Sequence, residues 1–182
     1  MAIFQADIFG IPVRPLSVDK VICLGVLQHT PDPATAFGRL TEHVRPGGEL
    51  VVDVYSAHMR SLICWKYALR PLTKRADRRR LYRIIAAGTP PLVPVSAWLH
   101  RRAGRLGARL LPIVQYAHLG LPAALNREWA ILDTFDMYAP AHDHPQRLNT
   151  VCRWFKEAGF VGVTVEYGAN GIIGRGRRPA AT

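Results

Sequence analysis

The chain has 182 residues, of which 49% are hydrophobic, and its 24 Lys and Arg against 13 Asp and Glu give a formal net charge of +11. This composition excludes an intrinsically disordered chain and suits one domain with a sizeable core. Three scattered cysteines without a CxxC pair argue against a disulfide scaffold and a zinc site, and indicate a reducing, cytoplasmic compartment. With His counted as neutral, the longest uncharged runs have 17 residues and contain prolines. A membrane-spanning helix is therefore not expected, because it needs about 20 apolar residues.

The positive charge is concentrated in one block. Residues 56–125 hold 13 Lys or Arg and one acid, Asp77, whereas the rest of the chain holds 11 basic and 12 acidic side chains. The block therefore has a net charge of +12 and the remainder a net charge of −1. This asymmetry predicts a core part at residues 1–55, a basic helical insertion at 56–127, and a return to the core at 128–178.

The first third of the chain has the pattern of a strand–helix–strand unit. The sequence predicts strands at Ala2–Gln5, Val21–Leu27 and Leu50–Tyr55 and a helix at Ala34–Val44. A loop at Gly10–Asp19 separates the first two strands, and a turn at Arg45–Gly48 follows the helix. Either Asp32, which precedes Pro33, or Thr30 would cap the helix. Such a unit implies parallel strands.

The remainder is predicted to be helical first and then to end in a hairpin. Helices are expected at Arg60–Leu69, Asp77–Ala87, Val95–Leu111 and Leu148–Ala158. Pro71 breaks the chain between the first two helices, and Gly88–Pro94 breaks it between the second and the third. Strands are expected at Val161–Tyr167 and Ile172–Arg175. Asn170-Gly171 between the last two strands is typical of a tight hairpin with a close backbone approach. The predicted fold class is α/β, with a mostly parallel sheet and a C-terminal antiparallel hairpin.

Two stretches carry a family resemblance. The run VDKVICLGVLQHTPDP at Val18–Pro33, followed by a helix and by VRPGGELVV at Val44–Val52, resembles the second half of class I S-adenosylmethionine-dependent methyltransferases, in the small-molecule branch that includes ubiquinone-biosynthesis-type enzymes. The ending at Trp154–Gly174 is similar to the last helix and closing hairpin of that family. The resemblance implies an incomplete Rossmann-like sheet, S-adenosylmethionine as cofactor, and methyl transfer to a small-molecule or lipid-linked acceptor.

The resemblance also implies cofactor contacts. Ligands of open α/β sheets bind outside the carboxyl ends of the strands, where Leu24, Gly25 and Gln28 lie and would face the methionine moiety. Asp7 matches the family acid that accepts a hydrogen bond from the adenine amino group, and Ile8 would pack on the adenine ring. From the residues alone, Asp7 is a loop cap and Ile8 a core residue.

The glycine-rich cofactor loop of the family is absent from this sequence, as is the acid that holds the ribose. The run GANGIIGRG at Gly168–Gly176 does not replace the loop, because no helix follows it. The chain is accordingly interpreted as a fragment, a product of a wrongly placed start, or a degenerate homologue that acts as a non-catalytic binding or regulatory subunit. Weak or absent cofactor binding is expected.

Histidines and tyrosines supply the predicted chemistry. His29 follows a strand end, and an ordinary pKa of about 6.5 suits a general base; the alternative is a loop histidine bonded to a backbone carbonyl. Tyr55, Tyr138, His142 and His144 are predicted to line the acceptor pocket. The alternative for Tyr55 is an aromatic residue at the edge of the core, and the alternative for the segment with the other three is a solvated connection that caps the following helix. His142 and His144 alone do not make a metal site, because no third ligand has a motif spacing.

The basic block interleaves Arg and Lys with Trp, Leu and Ile between residues 60 and 111. Helices of this kind lie on anionic membrane surfaces, so a peripheral membrane location is one prediction. The same charge would fit RNA phosphates, which is less expected because no RNA-binding motif is present. The third alternative is a helical lid with a solvated Arg face.

Overall fold

A computed structural model describes residues 3–58 and 65–180 of the chain. The described residues form two compact units. The sheet unit comprises residues 3–58 and 142–180, and the helical unit comprises residues 65–141. The domain boundaries predicted from charge, between residues 55 and 56 and between residues 127 and 128, stay a prediction.

Four strands and five α-helices make up these units. The strands are β1 (Val18–Leu24), β2 (Val44–Val54), β3 (Val161–Tyr167) and β4 (Ile172–Arg177). The helices are α1 (Pro33–His43), α2 (Trp65–Thr73), α3 (Arg78–Ala108), α4 (Ala123–Tyr138) and α5 (Leu148–Glu157).

The sheet has the order β1-β2-β4-β3. β1 and β2 are parallel, whereas β2 pairs with β4 and β4 with β3 in the antiparallel sense. The α/β class and the C-terminal hairpin are confirmed. The parallel part comprises one strand pair in the described residues, because α1 provides the crossover between β1 and β2 and a hairpin supplies the other two strands.

β1 begins and ends three residues earlier than the predicted Val21–Leu27. It ends at Leu24 because Gly25 adopts a left-handed conformation, with φ of 67°, and residues 27–29 then form a 3₁₀ turn. The predicted strand at Ala2–Gln5 is wrong for its described residues 3–5, which have no regular structure. No strand of the described chain pairs with them, and Ile3 is 86% exposed.

Asp32 rather than Thr30 caps α1. The Asp32 Oδ1 accepts hydrogen bonds from the backbone N–H groups of Ala34 and Thr35 at 3.0 and 3.2 Å. The Thr30 hydroxyl instead donates to the Leu27 carbonyl at 2.7 Å. The cap explains why the helix begins at Pro33, where the missing N–H of proline costs nothing.

The predicted turn at Arg45–Gly48 lies inside β2 as an irregularity of the ladder. Val18 pairs with Val44 and Lys20 with Glu49, so the additional residues of β2 bulge out between these pairs. The Gly47 N–H donates to the carbonyl of Arg178, which holds the bulge in place.

The core of the sheet unit centres on Phe155 of α5. Its ring packs edge-on against Phe37 of α1, with ring centroids 4.9 Å apart. Gly174 and Gly176 of β4 make room for it, because a Cβ on either glycine would lie 2.6 or 2.7 Å from a Phe155 ring atom. The close backbone approach predicted for this hairpin is confirmed.

The helical unit departs from the predicted breaks. α2 continues through Pro71 to Thr73, and α3 runs through the three prolines of the predicted Gly88–Pro94 break. The buried Thr89, Ser96 and Ala97 flank these prolines, and packing of α3 on α4 holds the helix together there. The break occurs instead at Ala103 and Gly104. Residues 60–64 of the predicted Arg60–Leu69 helix lie outside the described part of the chain.

None of the helices in the described residues is long and apolar enough to cross a membrane.

Candidate functional site

A polar cluster lies at the carboxyl ends of β1 and β2. The Gly25 N–H donates to the Asp53 carbonyl at 3.0 Å, which fixes the chain as it leaves β1. A Cβ on Gly25 would lie 3.7 Å from Asn170 Nδ2 and 3.9 Å from Gln28 Nε2. The 3₁₀ turn therefore brings the Gln28 amide back over the strand end. We refer to Gly25, Gln28, Asp53 and Asn170 as the strand-end cluster.

Gln28 is fully buried, and neither its amide oxygen nor its amide nitrogen has a hydrogen-bond partner among the described residues. Burying an amide without partners costs about 1–3 kcal/mol in proteins. The amide offers one acceptor and two donor hydrogens at the place where open α/β sheets bind ligands. It therefore suits a ligand that carries both a donor and an acceptor.

Asp53 contributes a buried carboxyl group to the same cluster. Burial raises the pKa of Asp53 above its ordinary value, although the hydrogen bond that Asn170 Nδ2 donates to Asp53 Oδ1, at 3.0 Å, acts in the opposite direction. A carboxylate destabilised by burial gains from a nearby positive charge. The cluster is thus suited to a cationic group of a ligand.

Sequence reasoning missed Asp53 and Asn170 as functional residues. The acid within the apolar run LVVDVY was a usable signal, because a charged residue in a buried strand needs a reason. For Asn170, the sequence pattern indicates only a hairpin turn.

The segment that begins at His142 closes over the 3₁₀ turn. The His144 N–H donates to the Gln28 carbonyl at 2.8 Å, and His29 Nδ1 lies 3.1 Å from the His142 carbonyl oxygen. The His29 ring also packs edge-on against Tyr55, with centroids 5.3 Å apart. Four of the five residues predicted to serve catalysis or acceptor binding are therefore neighbours in the sheet unit.

The contact with His142 defines the tautomer of His29. A carbonyl oxygen only accepts hydrogen bonds, so Nδ1 carries the hydrogen and Nε2 of the neutral ring keeps its lone pair. Nε2 is the atom able to take a proton.

Tyr138, the fifth of these residues, lies in the helical unit. Its side chain is buried beside Leu81 and Ile85, and its hydroxyl donates to the Pro112 carbonyl at 3.0 Å. Its predicted role in acceptor binding stays a prediction.

The residues predicted to bind adenine lie in the loop before β1. Asp7 is exposed and its Oδ1 accepts a hydrogen bond from the Phe9 N–H at 3.0 Å, as a loop cap does. Ile8 is partly buried against the core of the sheet unit. The Leu24 side chain, at the end of β1, is 59% exposed. Their roles toward a cofactor stay predictions.

The rings of His142 and His144 stack with centroids 5.8 Å apart. In residues 3–58 and 65–180, no group of three His, Cys, Asp or Glu side chains is placed to hold a metal ion.

Comparisons with known proteins point to one family. Residues 1–52 match the family described as a methyltransferase domain. A tRNA U34 carboxymethyltransferase of Wolinella succinogenes is 30% identical over 111 residues, 61% of this chain and 35% of the relative. A ubiquinone biosynthesis O-methyltransferase of Saccharophagus degradans is 33% identical over 65 residues, 34% of this chain and 28% of the relative.

Among solved structures, an O-methyltransferase family protein from Burkholderia thailandensis aligns with 98% of this chain and 36% of its own, at 11% identity and a TM-score of 0.47. This chain spans about a third of the length of the tRNA U34 carboxymethyltransferase and of the ubiquinone biosynthesis O-methyltransferase.

Proposed function

We propose that the chain is a member of the class I S-adenosylmethionine-dependent methyltransferases, because residues 1–52 match a methyltransferase domain, and that it takes part in methyl transfer from S-adenosylmethionine to a small-molecule or lipid-linked acceptor. The observation that carries the proposal is the buried, unpartnered amide of Gln28 at the strand ends. The alternative is a non-catalytic homologue that keeps the site as a binding module.

The strand-end cluster fits the amino-acid end of the cofactor. That end carries an ammonium and a carboxylate group, and Gln28 has both an acceptor and donors to offer them. Asp53 would supply the negative charge for the ammonium group. The left-handed Gly25 lets the backbone approach this end closely. When bound, the cofactor supplies an electrophilic methyl group on a sulfonium centre.

We assign the general base to His29. Its Nε2 would accept the proton that the acceptor loses, while the hydrogen bond from Nδ1 to the His142 carbonyl holds the ring. Tyr55 packs against the same ring and restricts its orientation. The acceptor would lie beside His29, His142 and His144.

Ligand-observed NMR with millimolar S-adenosylmethionine tests the cofactor proposal. The matched control ligand is methylthioadenosine, which lacks the amino-acid end. We expect magnetisation transfer to S-adenosylmethionine, less to the control, and loss of the difference in Gln28→Met. Equal transfer to both ligands would contradict the assignment of the strand-end cluster. Because the glycine-rich loop is absent from the sequence, we expect no binding tighter than about millimolar, or about −4 kcal/mol.

The exposed residues of the helical unit indicate which class of acceptor the protein could use. Exposed apolar residues such as Leu72, Ile84 and Trp98 alternate along it with arginines, so we propose peripheral contact with an anionic membrane that carries the acceptor. A second candidate is a nucleic-acid acceptor, favoured by the net charge of +12 in residues 56–125 and by the similarity to the tRNA-modifying relative.

Sedimentation with vesicles separates the two candidates. We expect the protein to sediment with anionic vesicles, to be released by salt because attraction is screened beyond about 8 Å, and to bind less when Arg78, Arg79 and Arg80 are changed to Gln. Equal binding to neutral vesicles would exclude electrostatic recruitment. Salt-sensitive binding to tRNA without vesicle binding would favour the nucleic-acid acceptor.

A further inference from the structure

The helical unit contains a pocket that the preceding function does not use. Its volume is about 440 Å³, which lies within the range of small-molecule sites, roughly 300–1,000 Å³. All the described residues that line it belong to the helical unit.

The pocket is built by a back-folded end of α3. Gly104 has φ of 55° and ψ of −142°, which turns the chain after Ala103. The following turn then lies against the earlier part of the helix, since a Cβ on Gly107 would overlap the Leu99 carbonyl. This corner places Arg105 in the wall of the same pocket as His100.

The ionisable side chains that line the pocket in the described residues are all basic. Arg105, Arg109, His100 and His118 line the pocket, and no Asp or Glu does so in the part of the chain that the structure describes. Neither arginine is within ion-pair distance of a carboxylate among these residues. Guanidinium groups match carboxylate and phosphate oxygens through paired hydrogen bonds, so these two arginines suit an anionic head group.

The rest of the described wall is largely apolar and, besides Gln115, contains the buried hydroxyl of Ser96. Trp65, Ile113 and Met137 line it, and the Trp65 indole is held by a hydrogen bond from Nε1 to the Leu110 carbonyl at 3.2 Å. The Ser96 hydroxyl is fully buried, lines the pocket, and has no partner among the described residues. A buried hydroxyl without a partner is stabilised when a ligand atom reaches it.

We propose that this pocket binds an amphipathic anion whose carboxylate or phosphate head is held by Arg105 and Arg109 and whose apolar body packs against Trp65 and Met137. The Ser96 hydroxyl would meet a polar atom of the ligand inside the pocket. The ligand class includes both fatty acids and water-soluble aromatic acids. The proposal does not depend on methyl transfer, because every residue in it belongs to the helical unit.

Calorimetric titration of the full chain tests the proposal. The probes are decanoate, decyl phosphate and 2-naphthoate, each below its aggregation concentration, with decanol as the neutral analogue and inorganic phosphate as the head group alone. We expect one saturable site for at least one amphipathic anion and at least tenfold weaker binding of decanol. Preference for decanoate would identify a lipid acid, and preference for 2-naphthoate an aromatic acid.

Matched variants locate the site. Arg105→Gln with Arg109→Gln should weaken binding about tenfold or more. The control, Arg127→Gln with Lys156→Gln, removes the same charge from two exposed positions outside the pocket lining and should change binding less than about twofold. Thermal unfolding checks that both pairs fold. Binding without saturation, equal loss in both pairs, or equal affinity for decanol or inorganic phosphate would overturn the proposal.

Discussion

Replacing Gln28 by methionine should stabilise the ligand-free chain. The change keeps the length of the side chain and removes a fully buried amide whose oxygen and nitrogen both lack partners in the described residues. Since such an amide costs about 1–3 kcal/mol, we expect the free energy of unfolding of the sheet unit to rise by about that amount. A stabilising substitution of this kind is typical of a residue kept for binding.

Urea titration combined with amide hydrogen exchange measures this effect, because exchange reports the sheet unit and the helical unit separately. The matched control is Gln115→Met. Gln115 is also buried, but its Oε1 accepts a hydrogen bond from the Ala117 N–H at 2.7 Å, so its loss should destabilise the helical unit by about 1 kcal/mol. If Gln28→Met destabilised the chain as the control does, the Gln28 amide would have partners in solution and the argument for a binding role would fail.

Three further substitutions test the packing and the electrostatics of the sheet unit. Gly174→Ala places a Cβ 2.6 Å from a Phe155 ring atom and should lower the free energy of unfolding by about 1–3 kcal/mol. The control Gly38→Ala, in open space on α1, should raise it by up to about 1 kcal/mol. Equal effects of the two substitutions in urea titrations would refute the close approach. Because burial raises the pKa of Asp53, its carboxyl group contributes stability that is present below its ordinary pKa of 3.8 and lost as pH rises through the folded-state pKa. Asp53→Asn should therefore be more stable than the parent near pH 7, with the difference shrinking toward pH 4, and a difference that grew toward pH 4 would contradict the raised pKa.

Local signals predicted the sheet unit well. The amphipathic α1 and the hairpin at Asn170-Gly171 depend on residues within a few positions of one another, and both are confirmed; of the two predicted caps, Asp32 and Thr30, the structure selects Asp32. The pairing of β1 with β2 follows from the strand–helix–strand pattern.

Non-local packing explains the failures. The prolines between Gly88 and Pro94 predict a break by local rules, but α3 packs on α4 and continues through them. The break lies at Ala103 and Gly104, where there is no proline: Gly104 has φ of 55°, and the turn that follows brings Gly107 against Leu99. The sequence predicts two members of the strand-end cluster, Gly25 and Gln28, which lie in the Val18–Pro33 run that carries the family resemblance. Asp53 and Asn170 join them only through the sheet.

The most direct test of the central claim, that the strand-end cluster holds the amino-acid end of the cofactor, is a ¹H–¹⁵N NMR titration of the chain with S-adenosylmethionine. The side-chain NH₂ resonances of Gln28 and Asn170 are the reporters, and the Asn126 side-chain amide in the helical unit is the internal control. We predict that both reporters move together and saturably at about millimolar ligand, while the control stays in place. Ligand-induced shifts that spare Gln28 and Asn170, or no shifts at saturating ligand, would contradict the account.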